Sequence, residues 1–312
     1  MKIVETFDGN YGEDPIRFLN FRSDRNINVT FYVGLGSKIN KNDNNKKFYL
    51  ELEEPNRFCN QDAALKYTSD LIHCDKILTL CPYTAEYMNK FFYKRNVATP
   101  IFFPFNKDFI SAQFNKKYSV IYSGYTQTSY HEQMLSIISK FKDRVIVSYR
   151  PFNHVTHVNT SYKEKINLYA QAKIAVVSNG LINDKGYTIN AIQGTASKIG
   201  LTDIKNNYAF NFLETARVMP QLKSRVFEAA FGKCIILCQK DPFNVIERYF
   251  EPEKEFLYFD TLVDLEDKIK IILDNYAQYS NIAYSAFTKA LNNYTTDHLI
   301  KKIYEIHSNN NY

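Results

Sequence analysis

The residues best placed to do chemistry lie together in the stretch 221–237, QLKSRVFEAAFGKCIIL. At helical spacing, Val226, Phe227, Ala230 and Phe231 form one apolar face, while Gln221, Arg225, Glu228 and Gly232 form a second stripe. The second stripe carries a cation and a carboxylate. A fixed cation can neutralise an anionic group, above all one whose charge grows during a reaction. Lys223, at the start of the helix, can face the same anion. A carboxylate held on a helix can accept hydrogen bonds from a pair of neighbouring hydroxyls. Gly232 suits the helix end, where a left-handed backbone is often needed. Residues 234–237 then form a short, continuous apolar run, as in a parallel strand covered on both faces.

The elements around this helix read as a repeated strand–helix pattern. Residues 118–124 (YSVIYSG) form a strand that ends in glycine, and a helix follows over 130–141. Gly124, with Tyr125 after it, would let a backbone approach a phosphate, and the positive end of the next helix favours negative charge. Residues 144–149 form a strand ending at Arg150, 162–170 a helix, and 174–179 a strand ending in Ser178 and Asn179. Ligands of open α/β sheets bind at such C-terminal strand ends. Residues 180–220 exceed an ordinary connection and read as a loop or short helices over the site. Residues 276–306 read as helical and aromatic-rich.

The first half carries strands at 2–7, 29–33, 48–53 and 76–81. Asp8 lies in the turn after the first. Glu53 and Glu54 close the third, at the strand end where a catalytic base or an acceptor-binding carboxylate would sit, so these three are the weak catalytic candidates. Gly34-Leu35-Gly36-Ser37 lacks the third glycine and acidic follower of a dinucleotide fingerprint. His154 and His157 have a metal-like spacing, but no carboxylate or cysteine cluster accompanies them, so they read as ordinary loop histidines. An extended apolar stretch at 99–105 marks a domain boundary near residue 106.

The 312 residues are 45% hydrophobic, enough for two cores. The net charge of +6 is compatible with anionic ligands or a peripheral membrane contact. It falls short of a nucleic-acid-binding signature. The odd count of 5 cysteines, two of them (Cys234 and Cys238) in an apolar strand, reads as reduced thiols in a cytoplasmic protein. The opening residues read as a strand rather than a secretion signal, and no apolar run approaches a membrane span.

The pattern R-x-F-E-A-x-x-x-G followed by an apolar strand resembles the donor-site helix of group-1 type glycosyltransferases with the GT-B fold. The likeness continues through 241–246 (DPFNVI), 250–259 (FEPEKEFLYF) and 262–275, and in weaker form spans 118–294. It implies an α/β, GT-B-like chain of two Rossmann-like domains facing a cleft. An acceptor-side domain would cover 1–106 and a nucleotide-sugar-binding domain 107–290, with a C-terminal helix and tail at 291–312 crossing back onto the first. By resemblance, Glu228 would hold the ribose, and Arg225 and Lys223 the diphosphate, with Gly124, Tyr125, Arg150, Ser178 and Asn179 completing the donor site. Many relatives carry a second glutamate eight positions earlier, but here that position is Pro220, which leaves any sugar-binding or catalytic role for it unfilled. No Asp-x-Asp occurs in the chain, which favours a metal-independent route with no cofactor. The expected partners are a nucleotide sugar and a glycan, lipid-linked or other hydroxyl acceptor. The alternatives are a non-catalytic GT-B-like binding module and a DNA-modifying glucosyltransferase.

Overall fold

The computed structural model describes residues 2–5, 29–33, 39–51, 73–82, 85, 89, 97–124, 128–182, 218–241 and 243–309. Asp8, Glu53, Glu54, Tyr125, the Gly34–Ser37 glycines and most of the 180–220 stretch lie outside them. The chain divides into two compact units, and among the described residues it passes between them after Phe102, Asn179 and Gln221.

The first unit holds a sheet of five strands: β1 (Lys2–Glu5), β2 (Val29–Val33), β3 (Lys46–Glu51), β4 (Lys76–Thr79) and β5 (Ala98–Pro100). They lie in chain order and all pair in parallel. Consecutive residues of β3 and β4, such as Phe48, Tyr49 and Leu50 or Ile77 and Leu78, are buried whichever face they point to. That is the pattern of strands covered on both sides.

The second unit begins with β6 (Tyr118–Ser123), α1 (Ser129–Ser139), β7 (Val145–Ser148), β8 (His157–Val158), α2 (Tyr162–Ala170) and β9 (Ala172–Val177). The chain then leaves for an antiparallel ribbon, β10 (Gly180–Ile182) and β11 (Val218–Pro220), which groups with the first unit. It returns for α3 (Ser224–Phe231), β12 (Ile235–Gln239), β13 (Leu257–Phe259), α4 (Leu262–Asp274), α5 (Tyr276–Asn293) and α6 (Thr296–Asn309). The strand at 157–158 and the ribbon were not foreseen from the sequence.

The strand order of this second sheet is β13-β12-β9-β6-β7-β8, all parallel. From β6 the chain steps outward through β7 and β8, then returns to the other side of β6 and steps outward again through β9, β12 and β13. This is the doubly wound order, and its direction reverses between β6 and β9. The loops at the two C-terminal strand ends diverge there and leave a crevice for a ligand. Alternate residues of β6, β9 and β12 (Val120 and Tyr122, Ile174 and Val176, Ile235 and Leu237) form a core with Met134, Leu135 and Ile138 of α1 and Leu265, Ile269 and Ile272 of α4. Helices α2 and α3 pack against one another and against β9.

Two details differ from the sequence reading. The helix expected over 276–306 breaks into α5 and α6 at Thr295. There the backbone pairs with Phe105: the Phe105 N–H donates to Tyr294 O, and the Thr296 N–H to Phe105 O, each at 3.0 Å. The Phe105 ring stacks on Phe231 with centroids 4.2 Å apart, so the beginning of this unit is clasped to its end. The other detail is the end of α3. Gly232 stays right-handed at φ −76, and Lys233 takes the left-handed turn at φ 50. Gly232 is needed for a different reason: a Cβ there would meet the Tyr169 Cβ at 2.8 Å and its carbonyl carbon at 2.9 Å.

Candidate active site

Arg225 and Gly124 meet at the reversal point of the second sheet. Gly124 follows β6 directly, and its N–H donates to Val147 O at 3.1 Å. The Arg225 guanidinium lies against its Cα so closely that a Cβ at Gly124 would sit 2.2 Å from Nη1 and 2.6 Å from Cζ. Arg225 Nη1 also donates to the hydroxyl of Tyr122 at 3.5 Å, and its Cζ stands 5.6 Å from that ring's centroid. Tyr122 is fully buried. Burial pushes its hydroxyl above the ordinary tyrosine value, and the Arg225 charge acts against that rise. The cation therefore sits at the mouth of β6 on an aromatic support, with a glycine beneath it whose missing side chain makes room for the guanidinium.

Helix α3 brings its N-terminus to the same place. Lys223 occupies the capping position with extended backbone and makes no side-chain cap bond. Its N–H instead donates to Oδ1 of Asn179, 3.1 Å away at the end of β9. Asn179 is fully buried, and its Nδ2 donates to Cys238 Sγ at 3.5 Å. Asn179 thus positions the helix start, whose positive end favours an anion. Ser178, next to it, is buried. Arg150 stands at the C-terminal end of β7, exposed, with its N–H donating to Ser148 Oγ at 3.3 Å.

Glu228 lies one turn along α3 from Arg225, but the two form no ion pair. The carboxylate is 0% exposed, and its Oε1 accepts from Lys165 Nζ of α2 at 2.9 Å. The carboxylate thus forms a buried pair with Lys165, a residue that showed no signal in the sequence. Oε2 has no hydrogen-bond partner among the described residues. The neighbouring Tyr169 hydroxyl is pushed well above its usual value, first by burial and then by the charge of Glu228, with Arg225 opposing. Gly124, Ser178, Asn179, Lys223, Arg225 and Glu228 are thus gathered by β6, β9 and α3, and Arg150 stands one strand away.

His157 Nδ1 lies 2.8 Å from the hydroxyl of its neighbour Thr156. Among the described residues, no group of three or more His, Cys, Asp or Glu side chains could hold a metal ion. The described cysteines Cys74, Cys81, Cys234 and Cys238 are buried and are not in disulfides. No described helix is long and apolar enough to cross a membrane.

The sequence profile of the glycosyl transferase-like family matches residues 133–305, more than half of the chain. No curated protein matched. Among solved structures, the chain is similar to sucrose-phosphate synthase from Thermosynechococcus elongatus, at TM-score 0.59 and 9% identity over 90% of this chain and 73% of that one. It is similar to a glycosyltransferase from Rickettsia africae ESF-5, at TM-score 0.55 and 13% identity over 90% and 76% of the two chains. A third is Anabaena Alr3699/HepE in complex with UDP and glucose, at TM-score 0.52 and 8% identity over 90% and 78%. The fold these chains share is the GT-B fold.

Proposed function

This chain belongs to the glycosyl transferase-like family, and on that premise we propose that it moves a glycosyl group from a nucleotide-sugar donor to a hydroxyl acceptor, without a metal on the diphosphate. The observation that carries the reading is the Arg225 guanidinium seated on Gly124 at the mouth of β6, beside the N-terminus of α3. The diphosphate would lie over Gly124 and the first N–H groups of α3. Arg225 and Lys223 would offset the charge that grows on the leaving diphosphate as the glycosyl bond breaks. Glu228, one turn further along the helix, would accept from a ribose hydroxyl. The UDP and glucose held by the HepE structure favour a uridine diphosphate sugar as the first donor to try. The acceptor is a glycan or lipid-linked hydroxyl in the cytoplasm, with the mild positive charge suiting an anionic surface.

The test is steady-state transfer with the preferred donor. Arg225→Ala should lower kcat more than it raises the donor KM, by about a hundredfold, as for loss of one preorganised donor group. Transfer by the wild type should persist in excess chelator. A normal kcat in Arg225→Ala would remove the diphosphate role, and activity that vanishes with chelator and returns with manganese would overturn the metal-free route.

A further inference from the structure

Lys165 and the second oxygen of Glu228 together form an incomplete arrangement. The carboxylate is wholly enclosed; one oxygen is held at 2.9 Å by an ammonium that is itself only 20% exposed, and the other has no partner among the described residues. A buried polar atom left unpaired is costly, and native proteins rarely keep one without a reason. Lys165 does not roam: its Nζ stands 4.8 Å from the ring centroid of Tyr162, three residues earlier on α2. The pair is therefore rigid, with one acceptor satisfied and one open.

We infer that Lys165 is a positioning residue that aims Glu228 Oε2 at a ribose hydroxyl and so makes the protein select ribonucleotides over deoxyribonucleotides. This rests on the nucleotide-sugar reading above. A carboxylate oxygen can only accept, so the missing partner is a donor: a hydroxyl or N–H, not a phosphate oxygen. Arg225 and the helix start, which suit the phosphates, lie one turn toward the N-terminus, a rise of about 4.5 Å for three residues. In a nucleotide sugar the groups that carry hydroxyls at that distance from a phosphate are the ribose and the transferred sugar, and the reading above places the ribose here. Lys165 compensates the carboxylate's charge and takes up the oxygen that would otherwise let the side chain turn. The long Arg225 side chain, one turn back along α3, can shift to admit the sugar.

The experiment is calorimetric titration with UDP, GDP and ADP, followed by the 2′-deoxy and 3′-deoxy forms of the tightest of them. The wild type should favour the ribonucleotide over at least one deoxy form by about tenfold or more, as for loss of a hydrogen bond to a charged group. Lys165→Met should bring that ratio close to one while leaving affinity for the deoxy form little changed, and Lys165→Arg should keep it. If Lys165→Met does not fold, Glu228→Gln, which leaves no buried unpaired carboxylate, should lose the same discrimination. A ratio in Lys165→Met or Glu228→Gln equal to that of the wild type overturns the inference, as does a wild type that binds ribo and deoxy forms alike. If the wild type binds none of the three ribonucleotides, the nucleotide-sugar reading falls, and this inference with it.

Discussion

Gly124 and Gly232 are both glycines for want of room, but what fills the room differs. At Gly124 the obstacle is the tip of a flexible side chain, Arg225; at Gly232 it is the Cβ and backbone of Tyr169. Gly124→Ala should therefore keep the fold, with thermal stability changed by less than about 1 kcal/mol, because the guanidinium can swing aside. It should still lower kcat about tenfold or more, because the displaced cation no longer faces the leaving group. Gly232→Ala should do the reverse: stability falls by about 1–3 kcal/mol, as for overpacking against a rigid neighbour, and the folded fraction retains its turnover. Thermal unfolding beside steady-state kinetics separates the two, and equal effects on both quantities in both variants would contradict this assignment. The same residues mark how far the sequence was legible. That a glycine must follow β6 and another must close α3 was readable from their places. That Gly232 makes room for Tyr169 while Lys233 takes the left-handed turn was not, because both facts depend on how α2 packs.

Helix α3 is held at each end by side chains from other elements. Asn179 Oδ1 accepts from the N–H of its capping residue, Lys223, and Lys116 Nζ reaches the carbonyls of Gly232 and Ala172, each at 2.7 Å. Sequence separations of 44 for Asn179, 63 for the Lys165–Glu228 pair and 116 for Lys116–Gly232 explain why periodicity found the helix but not its fastenings. A lysine on α2 reads as one more solvated charge until α2 is laid beside α3. The strand that follows is anchored by Cys234, whose thiol donates to Tyr169 O at 3.0 Å. Burial moves this thiol from its ordinary 9.0 up to about 11, with the Lys116 charge opposing. The folded state thus favours the neutral thiol. Its contribution to stability is complete below pH 9.0 and is lost as pH rises from there through about 11, because the unfolded thiol gives up its proton first. By pH 10 the loss should reach about 1 kcal/mol. Urea unfolding at pH 8 and pH 10 should show Cys234→Ala losing less stability over that interval than the wild type. An identical alkaline loss in the two proteins would contradict the assignment.

At the scale of the whole molecule, the alternation of strand and helix was legible because each element carries its own period, and the second sheet's order follows from the rule that such units wind to either side of a first strand. The ribbon was not, since β10 and β11 stand 35 residues or more apart in the chain and each is only three residues long. A donor that binds only the folded chain must raise its stability by mass action, by about 2.7 kcal/mol at a hundred times its Kd. Thermal unfolding with UDP-, GDP- and ADP-glucose should show that rise for at least one, and no rise with any of them would count against a nucleotide-sugar site. The departure of the chain after Asn179 and its return at Leu222 have a further consequence. The point of exit and the point of re-entry are joined by the Asn179–Lys223 hydrogen bond, and just beyond it Gly180 pairs with Pro220. The chain thus leaves the second unit and re-enters it at one place. A gene for the second unit can be written without codons 180–221, with a short splice that joins Asn179 to Leu222 across that hydrogen bond.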